Sequence, residues 1–422
     1  MATVLALDVG SSSVRAQRFD EHGEPADELR QERYDGRDPD EIVALSRAVV
    51  GGAEPDGISC FGHSLIPLGK HGKPLTELLG WRDTRSAEAA EWLRRRLDND
   101  AVHARTGAYL HPAFWPAKLA WLAETQPDVF RAAERFVSFA DYFGGEAVTS
   151  PSLASGTGLL DLTTSRWDEE LLAALGVEAE RLPELADVPV WIDGVCSNLG
   201  AGCTGGRAAL NVGTSGALRV LYETERPQPR PGLFLYRLDG RRVVEGGAVS
   251  DGGNLYRWLQ ETLAPSPKAG DRDHGLTFLP FLGGERSPGW DPDETGTITG
   301  LTFATTAGDI RQAALEGVGF RFAAIAALMP EIEEVVASGG ALMKDASWVQ
   351  ILADALARPV TLSGVAEASL RGAAVAALER SGYEVPAAPL GEVFRPREER
   401  AEAYRSARER QQRLYEELRG EH

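Results

Sequence analysis

Strand-like and helix-like patterns alternate along the chain. Thr3 to Asp8 is β-branched and apolar, Val14 to Phe19 follows across a short glycine-and-serine turn, and Glu21-His22-Gly23 turns again. This predicts a hairpin. Ser86 stands where a helix N-cap is expected, ahead of Ala89, Trp92, Leu93 and Leu97 at three- and four-residue spacing on one face. Thr306, with Asp309 three residues on, matches a capping box that opens a long helix through Ile310, Leu315 and Val318. Trp348, Ile351, Leu352 and Leu356 predict another amphipathic helix. After Pro396 the chain is densely charged, with Tyr404, Tyr415 and Leu418 as sparse anchors of a solvated terminal helix. The longest helical apolar segment, around Phe322 to Met329, is far short of the roughly 20 residues needed to cross a bilayer.

The pattern also echoes itself. Leu7-Asp8-Val9-Gly10-Ser11-Ser12-Ser13 and, roughly half the chain later, Leu210-Asn211-Val212-Gly213-Thr214-Ser215-Gly216 share a strand, one glycine and a hydroxyl-rich turn. An arginine follows each, Arg15 and Arg219. One reading is two related α/β domains facing each other, each presenting the same turn; the other is that short strand–glycine–serine turns recur by chance. Such a turn lets the backbone approach an anion, because glycine tolerates positive φ and successive N–H groups converge on phosphate oxygens. Two of them can grip one polyphosphate. Asp8, entering the first turn, would repel phosphate unless it holds Mg2+, directly or through water; the plainer reading is that it caps the turn. The second turn carries neutral Asn211 instead.

At 422 residues the chain is long enough for two or three domains. Its 43% hydrophobic and 25% charged residues are ordinary globular usage. With 44 Lys and Arg against 63 Asp and Glu, the net charge of −19 repels phosphate backbones and anionic lipid, so neither nucleic acid nor a membrane is expected as a partner. Small anions are a separate matter, since a metal ion or a ring of N–H groups reverses the field locally. Cys60, Cys196 and Cys203 form no Cys-x-x-Cys pair, which argues against a disulfide framework or structural zinc and for the reducing cytoplasm. The start, MATVLALDVG, lacks the pattern of a signal peptide.

Two nucleotide motifs can be set aside. Gly200-Ala201-Gly202-Cys203-Thr204-Gly205 spells G-x-G-x-x-G, with Glu223 and Glu225 about twenty residues on. A strand-like stretch follows it, so phosphate would lack the helix N-terminus on which a dinucleotide fingerprint depends. No Walker loop is present, because Gly69-Lys70 is followed by His71.

The ordered set of motifs resembles the FGGY carbohydrate kinases of the actin-like ATPase superfamily, and within them the gluconate-kinase-type branch, with xylulokinases also similar. The resemblance runs from Leu5 to about Gly382 through LALDVGSSSVRA, SCFGHSLIPL, GWRDTRS, RTGAYLHPAFWPAKL, SFADYF, ASGTGLLDL, WIDGVCSNLGAGC, NVGTSGALRV, FLPFLGGERSPGWDPDETG and ASGGALMKDASWVQILADAL. It implies an α/β fold of two ribonuclease-H-like domains with a cleft between them, residues 1–203 binding sugar and 204–422 binding nucleotide. It implies ATP and Mg2+, a small sugar or sugar acid as partner, and allows a homodimer. Gluconate leads as acceptor of phosphate on a primary hydroxyl, with xylulose or ribulose behind. A non-enzymatic sugar or nucleotide sensor that kept the fold is the alternative.

The resemblance places Asp193 as catalytic base and Asp8 at the metal. Gly10, Ser11, Ser12 and Ser13, with Gly213, Thr214, Ser215 and Gly216, would hold the ATP phosphates. Gly339, Gly340 and Ala341 would meet adenosine, two glycines clearing room for a flat purine or ribose at a helix start. On the sugar side stand His63 and Ser64, and the Trp-x-Asp-x-Arg set Trp81, Asp83 and Arg85: a switchable hydrogen bond, an apolar wall and a planar fork. Each has a plainer role open to it, with His63 structural, Trp81 in the core and Asp83 paired to Arg85 across a strand face. The chain is short for this family before Ser59 and before Asp193, where Val190-Trp191-Ile192 replaces a glycine-rich approach.

Overall fold

The computed structural model describes residues 3–145, 148–265 and 273–420, apart from the side chain of Lys344. Two mixed sheets form its frame. The strands of the first are β1 (Thr3–Gly10), β2 (Ser13–Asp20), β3 (Arg30–Arg33), β4 (Gly57–Cys60) and β5 (Val190–Ile192), in the spatial order β5-β4-β1-β2-β3. Those of the second are β6 (Arg207–Val212), β7 (Gly216–Glu223), β8 (Phe234–Arg237), β9 (Arg242–Val249), β10 (Glu334–Ser338), β11 (Val360–Ser363) and β12 (Leu390–Phe394), in the order β8-β9-β7-β6-β10-β11-β12.

The echo in the sequence is a repeat of topology. β1 and β2 form an antiparallel hairpin, β4 joins β1 in parallel, β5 joins β4 in parallel, and β3 runs antiparallel to β2. β6, β7, β10, β11 and β9 reproduce those relations one for one. Chance recurrence of a short turn does not generate four matching strand relations. Val4 to Val9 of β1 are buried without interruption, as a central strand covered on both faces requires.

The covering helices do not respect the midpoint of the chain. Helix Ala368–Arg380 packs against β1 and β4 of the first sheet and crosses helix Asp193–Gly200, which follows β5. Its small residues allow this: a Cβ on Gly57 would lie 2.4 Å from the Ala373 carbonyl oxygen. A division at residue 203 separates the sheets but not their covers. The Arg371 guanidinium reinforces the crossing by donating to the carbonyls of Gly23, Gly200 and Pro386.

Local expectations fare unevenly. Thr306 and Asp309 form a reciprocal capping box on helix Ala307–Leu328. Ser86 precedes helix Ala87–Arg94 but donates its hydroxyl to the Pro112 carbonyl instead of capping, and Leu97 lies beyond the helix end. Helix Ala346–Leu356 buries Trp348, Ile351, Leu352 and Leu356 as expected, leaves Ala346 exposed, and is buried throughout its second half. On it, Asp354 pairs with Arg397 at 2.7 Å. In the terminal helix Ala401–Arg419, Tyr404 and Tyr415 are buried as anchors, whereas Leu418 is exposed. The G-x-G-x-x-G run leads straight into β6, a strand, as its rejection required. No described helix is long and apolar enough to cross a membrane.

Candidate active site

The parallel strands of both sheets end on one cleft. Ser11 follows β1, Gly62 and His63 follow β4, Asp193 follows β5, and Gly213 follows β6. All of them line a single cavity of about 230 Å³, together with Thr214, Ser215, Gly216 and Trp81. Carboxyl ends of parallel strands are where open α/β sheets bind ligands, because the loops leaving them are free to converge. The two hydroxyl-rich turns therefore face the same space, from opposite sheets.

Asp193 opens helix Asp193–Gly200 at the wall of this cavity. Burial pushes its carboxyl up to about 6; the Arg219 guanidinium opposes the rise, Asp8 adds to it, and the Gly194 N–H, donating at 2.7 Å, and Arg286 oppose it further. A carboxylate poised there is ionised at neutral pH yet still basic. Its surroundings are fixed from two sides. Arg219 Nε donates to Asn198 Oδ1 and Asn198 Nδ2 donates back to the Arg219 carbonyl, each at 3.1 Å. Ser369 Oγ donates to the Asp193 carbonyl at 3.3 Å.

Asp8 is buried, and both its oxygens are engaged. Oδ1 accepts from Ser59 Oγ at 2.7 Å and Oδ2 from Arg15 Nη1 at 3.0 Å. Burial nevertheless raises its pKa above the ordinary value, so added positive charge nearby would be favoured. Among the described residues no group of three or more His, Cys, Asp or Glu is placed to hold a metal. Asp8 does not itself line the cavity, so its carboxylate would assist a Mg2+ ion there through intervening water, with phosphates and water supplying the remaining oxygens.

On the facing side, His63 sits at φ 64, a left-handed conformation held by Lys118, whose buried ammonium donates to the carbonyls of His63 and Ala113. His63 Nδ1 meets the Gly156 carbonyl and must donate to it, which leaves Nε2 as an acceptor. Burial lowers its pKa to about 3, so the ring is neutral near pH 7. Trp81 carries the Arg82 guanidinium 4.8 Å and the Arg286 guanidinium 5.5 Å from its ring centre. Arg82 also reaches Ser11 Oγ at 3.5 Å.

Known proteins resemble this chain in sequence and in fold. Residues 54–210 match the N-terminal domain, and residues 208–379 the C-terminal domain, of the FGGY family of carbohydrate kinases. A gluconokinase of Bacillus licheniformis is 30% identical over 95% of this chain and 93% of its own length. A glycerol kinase of Thermus brockianus is 32% identical over 89% of each. The crystal structure of a gluconate kinase from Lactobacillus acidophilus superposes with TM-score 0.88 at 25% identity, covering 99% of this chain and 98% of that one; a xylulose kinase of the same species gives 0.89 at 25% identity and the same coverage.

This chain belongs to the FGGY family of carbohydrate kinases. It is thus a phosphotransferase of sugars with the two-domain α/β fold of that family, and ATP is the substrate the family implies.

Within this FGGY kinase, the residues expected at the site separate into two groups. Ser11, His63, Trp81, Asp193, Gly213, Thr214, Ser215 and Gly216 share the cavity. Gly10, Ser12 and Ser13 do not line it: the Gly10 carbonyl accepts from the Tyr34 hydroxyl, and Ser12 and Ser13 face a separate hollow with Arg15 and Arg33. Ser64 is buried, its hydroxyl accepting from the Phe139 N–H at 3.0 Å. Asp83 accepts from Arg85 Nε at 2.9 Å within a turn, not across a strand, and Arg85 lies over the Trp121 ring. Neither lines the cavity, although Asp83 lines an adjoining hollow that shares Ser11, Trp81 and Arg82 with it. Gly339 owes its φ of 112 to backbone crowding, since a Cβ there would lie 2.3 Å from the Val212 carbonyl oxygen, whereas Gly340 faces open space and Ala341 packs towards Gly253. Among the other cavity residues, Arg219 and Arg286 fall inside quoted motifs without a site role, and Tyr236 falls outside them. Arg219 carried a signal, as the arginine that follows the second turn just as Arg15 follows the first.

Proposed function

We propose that this kinase transfers the γ-phosphoryl group of ATP to a primary hydroxyl of a small sugar or sugar acid, gluconate first and then xylulose or ribulose, with Asp193 as general base. The observation that carries the proposal is the placement of Asp193, a carboxylate raised to about 6, in a cavity lined also by Ser11 of the first hydroxyl-rich turn and by residues 213–216 of the second. The acceptor hydroxyl gives its proton to the Asp193 carboxylate as its oxygen bonds to the γ-phosphorus, while the bond from that phosphorus to the bridging oxygen breaks and ADP departs. Backbone N–H groups of residues 213–216 and the Ser11 hydroxyl orient the phosphates. Mg2+ held beside Asp8 would supply charge neutralisation of those phosphates. Asn198 keeps Arg219 turned towards Asp193, which holds the base ionised.

Consumption of ATP by the full chain against gluconate, xylulose, ribulose, glycerol and a set of hexoses tests this. Turnover of gluconate or one of the two ketoses is the expected result. Binding of sugar and ATP with no turnover of any acceptor would replace the proposal with the sensor reading.

His63 gives a sharper expectation. As a neutral acceptor of a substrate hydroxyl bond, it contributes to binding and not to titration. His63→Phe is expected to raise the KM for the acceptor about tenfold and to leave the acidic limb of the pH–rate profile in place. A shift of that limb in the variant would transfer the titration from Asp193 to His63.

A further inference from the structure

The cavity contains one guanidinium that the protein leaves without a polar partner. Arg286 Nε is buried with no hydrogen-bond acceptor, and among the described residues its guanidinium makes neither a hydrogen bond nor an ion pair. Its guanidinium stands 5.5 Å from the Trp81 ring centre and within electrostatic reach of Asp193. The adjacent carboxylate in sequence, Glu285, is turned away and occupied by Arg321, Tyr415 and Arg419. Beside Arg286 in the cavity lining is a second unanswered donor. The Tyr236 hydroxyl is buried without a partner, its ring stacked on Phe234 at 4.6 Å between centroids and tilted against His63 at 5.7 Å.

The other cavity arginines are accounted for, Arg219 by Asn198 and Arg82 by Ser11. Asp193 feels the Arg286 charge but accepts no hydrogen bond from it; a buried guanidinium without an acceptor is costly, and burying an unpaired hydroxyl adds to it. Such a pair persists in a folded site when a ligand supplies the missing acceptor. Resting on the kinase reading of this site, we propose that Arg286 and Tyr236 form a carboxylate-recognition subsite, which makes an open-chain sugar acid, and not a neutral sugar, the preferred acceptor. A guanidinium offers a planar fork that matches a carboxylate edge on, and the phenol adds a third donor. The Trp81 face holds the fork in plane. A neutral polyol leaves the charge unpaired. Arg286 stands against Trp81 and Tyr236, while Arg82 is the arginine that reaches the first phosphate turn, so the anion met by Arg286 belongs to the acceptor.

The test compares gluconate with glucitol, its neutral analogue, by calorimetric titration of the full chain and by steady-state turnover with ATP. The wild type is expected to bind gluconate at least about tenfold more tightly than glucitol. Arg286→Gln should weaken gluconate binding about 10- to 100-fold, with a loss for glucitol at least tenfold smaller; Arg286→Lys should recover part of the difference. Tyr236→Phe, which removes one oxygen and keeps the stacked ring, should show the same selective loss at about three- to tenfold and carries the test if Arg286→Gln folds poorly. Equal affinity of the wild type for both compounds, or equal losses for both in the variants, would overturn the subsite; equal losses in kcat for every acceptor would move Arg286 to the transferred phosphoryl group and overturn it likewise. Arg286-dependent gluconate binding without phosphorylation would uphold the subsite and remove the kinase reading, whereas turnover of neutral acceptors alone would do the reverse.

Discussion

Asp193→Asn lowers kcat by at least about 100-fold, with acceptor and ATP binding retained, if a carboxylate must take the acceptor proton. The amide is close in size and keeps the acceptor oxygen that receives the Gly194 N–H, so geometry survives and basicity does not. The wild-type profile supplies a second signature. With the carboxyl raised to about 6 by burial, activity should fall as pH drops through that value, and the residual activity of the variant should lack that limb. Near-normal turnover in Asp193→Asn would end the base assignment.

The same shift has a stability consequence of opposite sign. A free aspartate titrates near 3.8 and the folded Asp193 near 6. Between those values the folded chain holds a proton that the unfolded chain has lost, so stability falls as pH rises through the window. Above it the folded state stays weaker by at most about 3 kcal/mol, less to the extent that the residue keeps some contact with solvent. Asparagine removes this cost. The inactive variant is therefore expected to melt above the wild type at pH 7.5, with the two curves converging below about pH 4; thermal scans at both pH values check it.

Sequence order carried the frame of the molecule further than its pocket. The paired turns were legible because a strand, one glycine and a run of hydroxyls are contiguous, and contiguous residues that fold together leave a local pattern. Asp193 was legible only through the family, since an Asp-Gly after an apolar run is equally a turn. Trp81 was singled out in the sequence, but its cavity neighbours were not, for a physical reason. Trp81, Tyr236 and Arg286 come from three separate loops and strands, and no spacing along the chain announces that they will share a cavity. The Trp-x-Asp-x-Arg set misled in the converse way: Asp83 and Arg85 are two residues apart, which lets them satisfy one another at 2.9 Å and withdraw from the lining. At Gly339 the structure supplies a reason for glycine other than nucleotide contact, because the crowding comes from the Val212 backbone.

The crossing of helix Ala368–Arg380 over helix Asp193–Gly200 joins the fold to the chemistry, and Gly372→Ala is expected to break it. A Cβ at Gly372 would lie 1.8 Å from the Cys196 carbonyl oxygen and 2.5 Å from its carbon, and one at Gly200 would lie 1.8 Å from the Ala368 carbonyl oxygen. These are backbone atoms, so no side chain can swing aside, and the helices must separate. Overpacking of this kind costs at least about 3 kcal/mol, which corresponds to a drop in Tm of roughly 6 °C or more. The helix that yields carries Asp193 at its first residue, and the Ser369 hydroxyl that holds the Asp193 carbonyl sits one turn before Gly372. Displacing the base by even about 1 Å lowers the rate up to 100-fold, so folded Gly372→Ala protein should lose kcat more than it loses acceptor affinity. Gly240→Ala, where a Cβ meets nothing within 4 Å, is the matched control and should leave both Tm and kcat near wild type. A Gly372→Ala variant that melts with the wild type would show that the two helices can part without cost, and would leave the position of Asp193 to be set by β5 alone.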